Sequence, residues 1–167
     1  MTRSEAATGS LGLWSMEGTI DKAKLLYFGR LFRLHETLLT KKIFTERISS
    51  YYTDPNKQTI RFIPHIIQIL DKYSLGNYLS TYIEENTVPA KLSSTKIVYD
   101  HINEFEIVKW KNGMLDKDEL LFYRQIHTTL KTLHLCEVAR RNPLEKTSIA
   151  TLVHITCGNT PMRLNHG

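Results

Sequence analysis

Hydrophobic positions recur every three or four residues along most of this chain. In Ser15 to Leu34, SMEGTIDKAKLLYFGRLFRL, Met16, Ile20, Ala23, Tyr27, Leu31 and Leu34 form one stripe, and Leu25, Phe28 and Phe32 fill an adjoining one. That spacing predicts a central helix covered on two sides, with Ser15 as its cap, Glu17 and Asp21 near its positive end and Arg30 and Arg33 near its negative end. Leu13 or Trp14 is placed to staple onto its first turns. A second helix is expected from Thr37 to Tyr52, with Leu39, Ile43, Phe44, Ile48, Tyr51 and Tyr52 inward, and Asp54-Pro55-Asn56 breaks the pattern after it.

Pro64 suits the first turn of a third helix carrying Ile63, Ile66, Ile67, Leu70 and Tyr73, and Ser74 to Asn77, with Gly76, is the expected stop. A short fourth helix from Asn77 through Glu85 points Tyr78, Leu79, Tyr82 and Ile83 inward. A fifth opens at Ser93 or Ser94, runs inward through Ile97, Val98, His101, Ile102, Phe105, Val108 and Trp110, and stops at Asn112-Gly113. Asp116 and Glu119 have capping-box spacing ahead of a sixth with Leu120, Tyr123, Ile126 and Leu130, and Leu144 to Ile155 reads as a last helix. No segment alternates long enough for a sheet. The expected fold is all-α, an irregular single-domain bundle of about six or seven helices. Residues 1–10 read as a disordered polar tail, 11–153 as the helical domain, and 154–167 as a truncated, knuckle-like tail.

Composition narrows the class. The chain has 167 residues, 41% hydrophobic and 23% charged, enough for one globular domain and too apolar for general disorder. No apolar run of about 18 residues is present, so no membrane span is expected. No apolar stretch follows Arg3, so no secretory signal is expected, and the compartment is read as intracellular, nuclear or cytoplasmic. Cys136 and Cys157 alone make no disulfide framework. A net charge of +5 permits an anionic partner without requiring one.

The search for catalysis is negative. The sequence contains no phosphate-binding Gly-rich loop, paired-His metalloprotease motif or nucleophile elbow. Glu104 and Glu106 face opposite sides of a helix by spacing, while Asp116, Asp118 and Glu119 sit where helix starts collect acids. No catalytic residue is named, and the chain is not expected to be an enzyme. His101 reads as a hydrogen-bonded core histidine, and His127 and His134 have the spacing to share a helix face. His154 and Cys157 have the two-residue spacer of a zinc knuckle, and His166 follows. These three potential ligands are one short of a closed zinc site, so an ordinary terminus is the other reading and no cofactor is required.

Basic residues gather on the first two predicted helices: Lys22, Lys24, Arg30 and Arg33, then Lys41, Lys42 and Arg47. If these helices form a hairpin, their outer faces make a strip able to neutralise phosphates of RNA or DNA. Glu17, Asp21, Glu36 and Glu46 interrupt it, so a merely solvated face stands beside that reading.

The order of these signals resembles a known region. LGLWSMEGTIDKAKLLYFGRLFRL, then IFTERI, FIPHIIQILDKYSLGNYL, a VPAK connector, a long helix ending in Trp, FYRQIH and a last Cys-Gly element are similar to the region following the reverse transcriptase domain of animal non-LTR (LINE-like) retrotransposons. The similarity spans about residues 11 to 166. The resemblance implies a helical, non-catalytic fragment that follows the polymerase thumb and ends in a Cys/His knuckle associated with element RNA or target DNA, with the missing parts of a polyprotein as its partners. The paired aspartates of a polymerase palm are absent, and His154 stands where the family has Cys. On that reading Leu11, Leu13, Trp14 and one stripe of the central helix are left uncovered. The alternative is a helical protein–protein interaction module docking through Ile43 to Tyr52 or Ile63 to Tyr73. A small-molecule enzyme is the weakest reading, because no converging set of polar groups can be assembled.

Overall fold

The computed structural model describes residues 4–54, 62–78, 81, 89–115, 117, 120–142, 147, 148 and 151. Its described residues form helices and no strand, as the hydrophobic periodicity predicts: α1 (Ser4–Leu11), α2 (Met16–Phe32), α3 (Leu39–Thr53), α4 (Phe62–Lys72), α5 (Lys91–Leu115), α6 (Leu121–Ile126) and α7 (His134–Arg141). Among them no helix is long and apolar enough to cross a membrane. The chain divides into two compact units, Met16–Phe105, and Met1–Ser15 with Glu106–Gly167. Helix α5 gives its first fifteen residues to one and the remainder to the other. The boundaries fall inside the stretch expected as a single domain.

In the Met16–Phe105 unit, α2, α3 and α4 pack on one another. Leu25, Phe28 and Leu31 of α2 are buried with Phe44 of α3 and with Ile63, Ile66, Ile69 and Leu70 of α4. Phe28, Phe32 and Phe44 stack edge to face around one point, with centroids 5.0 to 5.5 Å apart. The expected first stripe of α2 is mostly uncovered: Met16 is 75% exposed and Tyr27 50%, with Ile20 and Ala23 also exposed. The covered face instead includes Gly18, Asp21 and Gly29. Asp21 is buried because the Tyr73 hydroxyl donates to its Oδ2 at 2.9 Å and Lys72 Nζ donates to the same oxygen at 2.9 Å. Helix α3 departs further from expectation, since Leu39, Ile43 and Tyr52 are exposed and its buried residues are Lys41 and Phe44.

Helix α4 ends at Lys72 and is capped at Ser74, the first residue of the expected Ser74–Asn77 stop, while Gly76 plays no part in the cap. Ser74 has φ 56°, Leu75 N–H donates to Leu70 O at 2.7 Å and Ser74 N–H to Asp71 O at 3.1 Å, the paired bonds of a Schellman cap. Leu75 is then buried beneath the cap. Helix α5 runs through Asn112 and Gly113 to Leu115, so that dipeptide is no stop, and Val108 on it is exposed.

The other unit corrects the sequence most. Residues 4–11, expected as part of a disordered tail, form α1, and its Ala6 is buried with Trp110, Met114, Leu120, Tyr123 and Leu130. Trp14 packs against this cluster, while Leu11 and Leu13 are exposed. Gly12 (φ 63°) closes α1 through Leu13 N–H to Thr8 O at 2.9 Å and Gly12 N–H to Gly9 O at 3.0 Å. Ser15 donates both its N–H and its hydroxyl to the buried Glu106, at 2.7 and 2.8 Å. His127 follows α6 and His134 opens α7, so the two share no helix. Most of the helix expected from Asn77 to Glu85, the Asp116–Glu119 capping box and most of 144–155 lie outside the described residues.

Candidate nucleic-acid interface

The seven basic residues of the predicted strip have different surroundings. Lys41 is buried, donating to Phe32 O at 2.7 Å, 3.4 Å from Glu36 and 5.5 Å from the centre of the Phe32 ring. It serves the carbonyl end of α2, where the macrodipole favours a cation, and is not part of an outer strip. Lys22 lies over the Tyr99 ring at 5.1 Å, and Arg33 donates to Ser94 Oγ at 3.1 Å, so both are turned toward α5. Lys42 is exposed, on the opposite side of α3 from Phe44 by helical spacing.

Arg47 lines one feature, and Lys24 and Arg30 are near it on α2 by helical spacing. A groove of about 290 Å³ lies among α2, α3 and α4, with Tyr27 and Leu31 on one wall, Ile43, Phe44 and Arg47 on another, and Phe62 and Ile63 on the third. Tyr27 stands at its edge, half exposed, its ring edge-on to Phe62 with centroids 6.1 Å apart. Lys24 is one turn before Tyr27 on α2 and Arg30 one turn after it. Lys24 Nζ is 3.4 Å from His65 Nε2, which brings the exposed His65 of α4 to the same edge. Arg47 thus lines an aromatic-edged groove, and Lys24 and Arg30 stand one turn to either side of its Tyr27 by helical spacing. Tyr27, Phe62 and His65 were not legible as part of it, because type and spacing do not say which aromatic stays at the surface.

The remaining polar groups hold the fold. Lys72 bridges Glu17 at 2.7 Å and Asp21 at 2.9 Å and lies over the Tyr73 and Phe105 rings. Desolvation, which lowers its pKa, is outweighed by the bonds to Glu17, Asp21 and Tyr73, so Lys72 is held above the usual lysine range. Burial, opposed by Lys72 and reinforced by Asp21, pushes the Tyr73 hydroxyl up to about 12. His101 Nδ1 lies 3.0 Å from Tyr73 O; a carbonyl only accepts, so Nδ1 carries the proton. Glu104 is exposed and Glu106 is held by Ser15, so the two carboxylates form no pair.

His154, Cys157 and His166 lie outside the described residues, and among those described no three His, Cys, Asp or Glu side chains are grouped to hold a metal. No protein-family model, curated protein or solved structure matches this chain.

Proposed function

We propose that this chain is a non-catalytic, helical nucleic-acid-binding fragment, related to the region that follows the reverse transcriptase domain of non-LTR retrotransposons, and that it takes single-stranded RNA or DNA along the α2–α3–α4 groove. One observation carries the reading: the half-exposed Tyr27 at the groove edge, with Lys24 and Arg30 flanking it on α2 and Arg47 across from it. An exposed ring offers a base a stacking surface independent of sequence, and cations on either side along the helix suit successive phosphates. The retrotransposon origin rests on the order of motifs alone.

The test is anisotropy of a labelled 12-nucleotide RNA titrated with the full chain at 50 and 200 mM salt. Three phosphate contacts give a slope of about −2 on logarithmic axes, a loss of about 20-fold over that range. Tyr27→Ala weakens binding by about 1–3 kcal/mol while leaving the slope unchanged. Absence of binding at 50 mM salt, or binding indifferent to salt, refutes the proposal.

A second reading has its own observation. Met16, Ile20 and Tyr27 on α2, with Leu39 and Ile43 on α3, are large apolar side chains left exposed. Such a surface suits a protein partner. Concentration-dependent self-association in sedimentation experiments without nucleic acid favours this reading over the first.

A further inference from the structure

In the unit that joins Met1–Ser15 to Glu106–Gly167, α1 is held by two side-chain links, an ion pair of Glu5 with Lys117 and the buried Ser10 hydroxyl 3.2 Å from that of Tyr123, and by a larger set of bonds to its main chain. Ala6 is its one buried apolar side chain among those described. Its carbonyls instead receive a row of donors. Trp110 Nε1–H reaches Glu5 O at 2.8 Å, the Tyr123 hydroxyl reaches Ala6 O at 3.1 Å, and His127 Nε2–H reaches Gly9 O at 2.8 Å. Leu133 N–H then takes Ser10 O at 2.8 Å, and the Thr132 hydroxyl takes Leu11 O at 3.0 Å.

This proximity depends on Gly9. A Cβ there would stand 2.6 Å from the Tyr123 oxygen and 2.7 Å from the Trp110 ring. Helix α1 also walls a cavity of about 350 Å³ whose other sides include Glu106, Trp110 and Leu130.

We infer that α1 is a releasable strap, docked by coupled folding and binding, that covers an aromatic cradle built to receive a helix main chain. An eight-residue helix does not persist alone in water, so α1 is helical only while docked. Its grip consists largely of hydrogen bonds, which exchange for bonds to water at small net gain, set against the full cost of ordering the segment. The cradle has a core of its own in Trp110, Met114, Leu120, Tyr123 and Leu130, which remains when α1 leaves. Release uncovers the three side-chain donors of Trp110, Tyr123 and His127 together with the cavity.

Hydrogen exchange on the full chain tests the opening. Amides of residues 4–13 should exchange at least 100-fold faster than those of Lys109 to Met114 in the same unit; equal rates mean that α1 opens only with the whole unit, and overturn the inference. The Gly9→Val chain provides the second arm, since the added side chain expels α1 and leaves the cradle residues intact. Its tryptophan emission should shift to the red, because Trp14 and Trp110 are the two tryptophans of the chain. Its circular dichroism should fall by no more than the α1 residues account for. A labelled peptide of residues 1–15 should then bind it saturably and at least 10-fold more tightly than it binds the parent chain. Global unfolding of Gly9→Val, or equal peptide binding to both chains, overturns the strap.

Discussion

Replacing Ser74 with glycine should stabilise the protein. Ser74 is the left-handed residue of the α4 cap, with φ 56°, and its side chain is exposed, so it contributes no packing. A side chain in that conformation costs about 1–2 kcal/mol through the clash of Cβ with the adjoining carbonyl. Glycine removes the clash but returns about 0.5–1 kcal/mol through the greater freedom of the unfolded chain. The balance is a gain of about 0.5–1 kcal/mol, with the Ser74-to-Asp71 and Leu75-to-Leu70 bonds unchanged. At a urea slope of about 2 kcal/mol per molar, the midpoint followed by circular dichroism should rise by about 0.3–0.5 M. Gly76→Ala is the control. Gly76 lacks a positive φ, and a Cβ there meets only the end of Asp71 at 3.3 Å, so the midpoint should move by less than 0.3 M, about the effect of a surface substitution. A loss on Ser74→Gly together with a larger loss on Gly76→Ala would place the left-handed residue at Gly76 and refute the reasoning.

Three further outcomes are expected. Asp21→Ala strips the buried Tyr73 hydroxyl and Lys72 of a shared acceptor; Lys72 keeps Glu17, so the urea-measured loss should sit near the low end for a broken buried pair, about 2–3 kcal/mol. Stability should fall as pH rises from the ordinary tyrosine value near 10.0 through about 12. Tyr73 keeps its proton in the folded state after the unfolded chain has lost it, and thermal melts of Tyr73→Phe should show a shallower alkaline decline. Gly12→Ala combines a positive φ with a Cβ 2.5 Å from Thr132 N; the cost should exceed about 2 kcal/mol and be visible in the tryptophan emission of that unit.

Helix α4 was legible because its isoleucines leave one candidate face, and Ile63, Ile66 and Leu70 are buried as the spacing requires. Helix α2 was ambiguous because it is apolar around most of its circumference. What decides between its faces is Asp21, whose burial depends on a tyrosine 52 positions along the chain. No local pattern contains that. Helix α1 was illegible for a different reason: its docking uses backbone carbonyls, which every residue has, and the one informative residue, Gly9, matters for the side chain it lacks. The cations were legible by type but not by engagement. Lys41 is placed on the carbonyl end of α2 because the turn between α2 and α3 folds it back there.

That sorting of cations bears directly on the proposed function. Lys22 and Arg33 are eleven residues apart, about three helical turns, so they share the face of α2 that meets Tyr99 and Ser94 of α5. Lys24 turns instead toward His65 of α4, and Arg30 is exposed one turn beyond Tyr27. A single extended strand follows one direction across a helix bundle and cannot neutralise cations aimed at several. The relevant charge is therefore the set bordering the groove, not the +5 of the whole chain. Substituting Lys24, Arg30 or Arg47 should each lower the salt slope by about 0.7, whereas Lys22→Gln, Arg33→Gln and Lys42→Gln should leave it in place. A slope that falls equally for all six would mean that the charge acts as a diffuse field, and the groove would lose its claim to the strand.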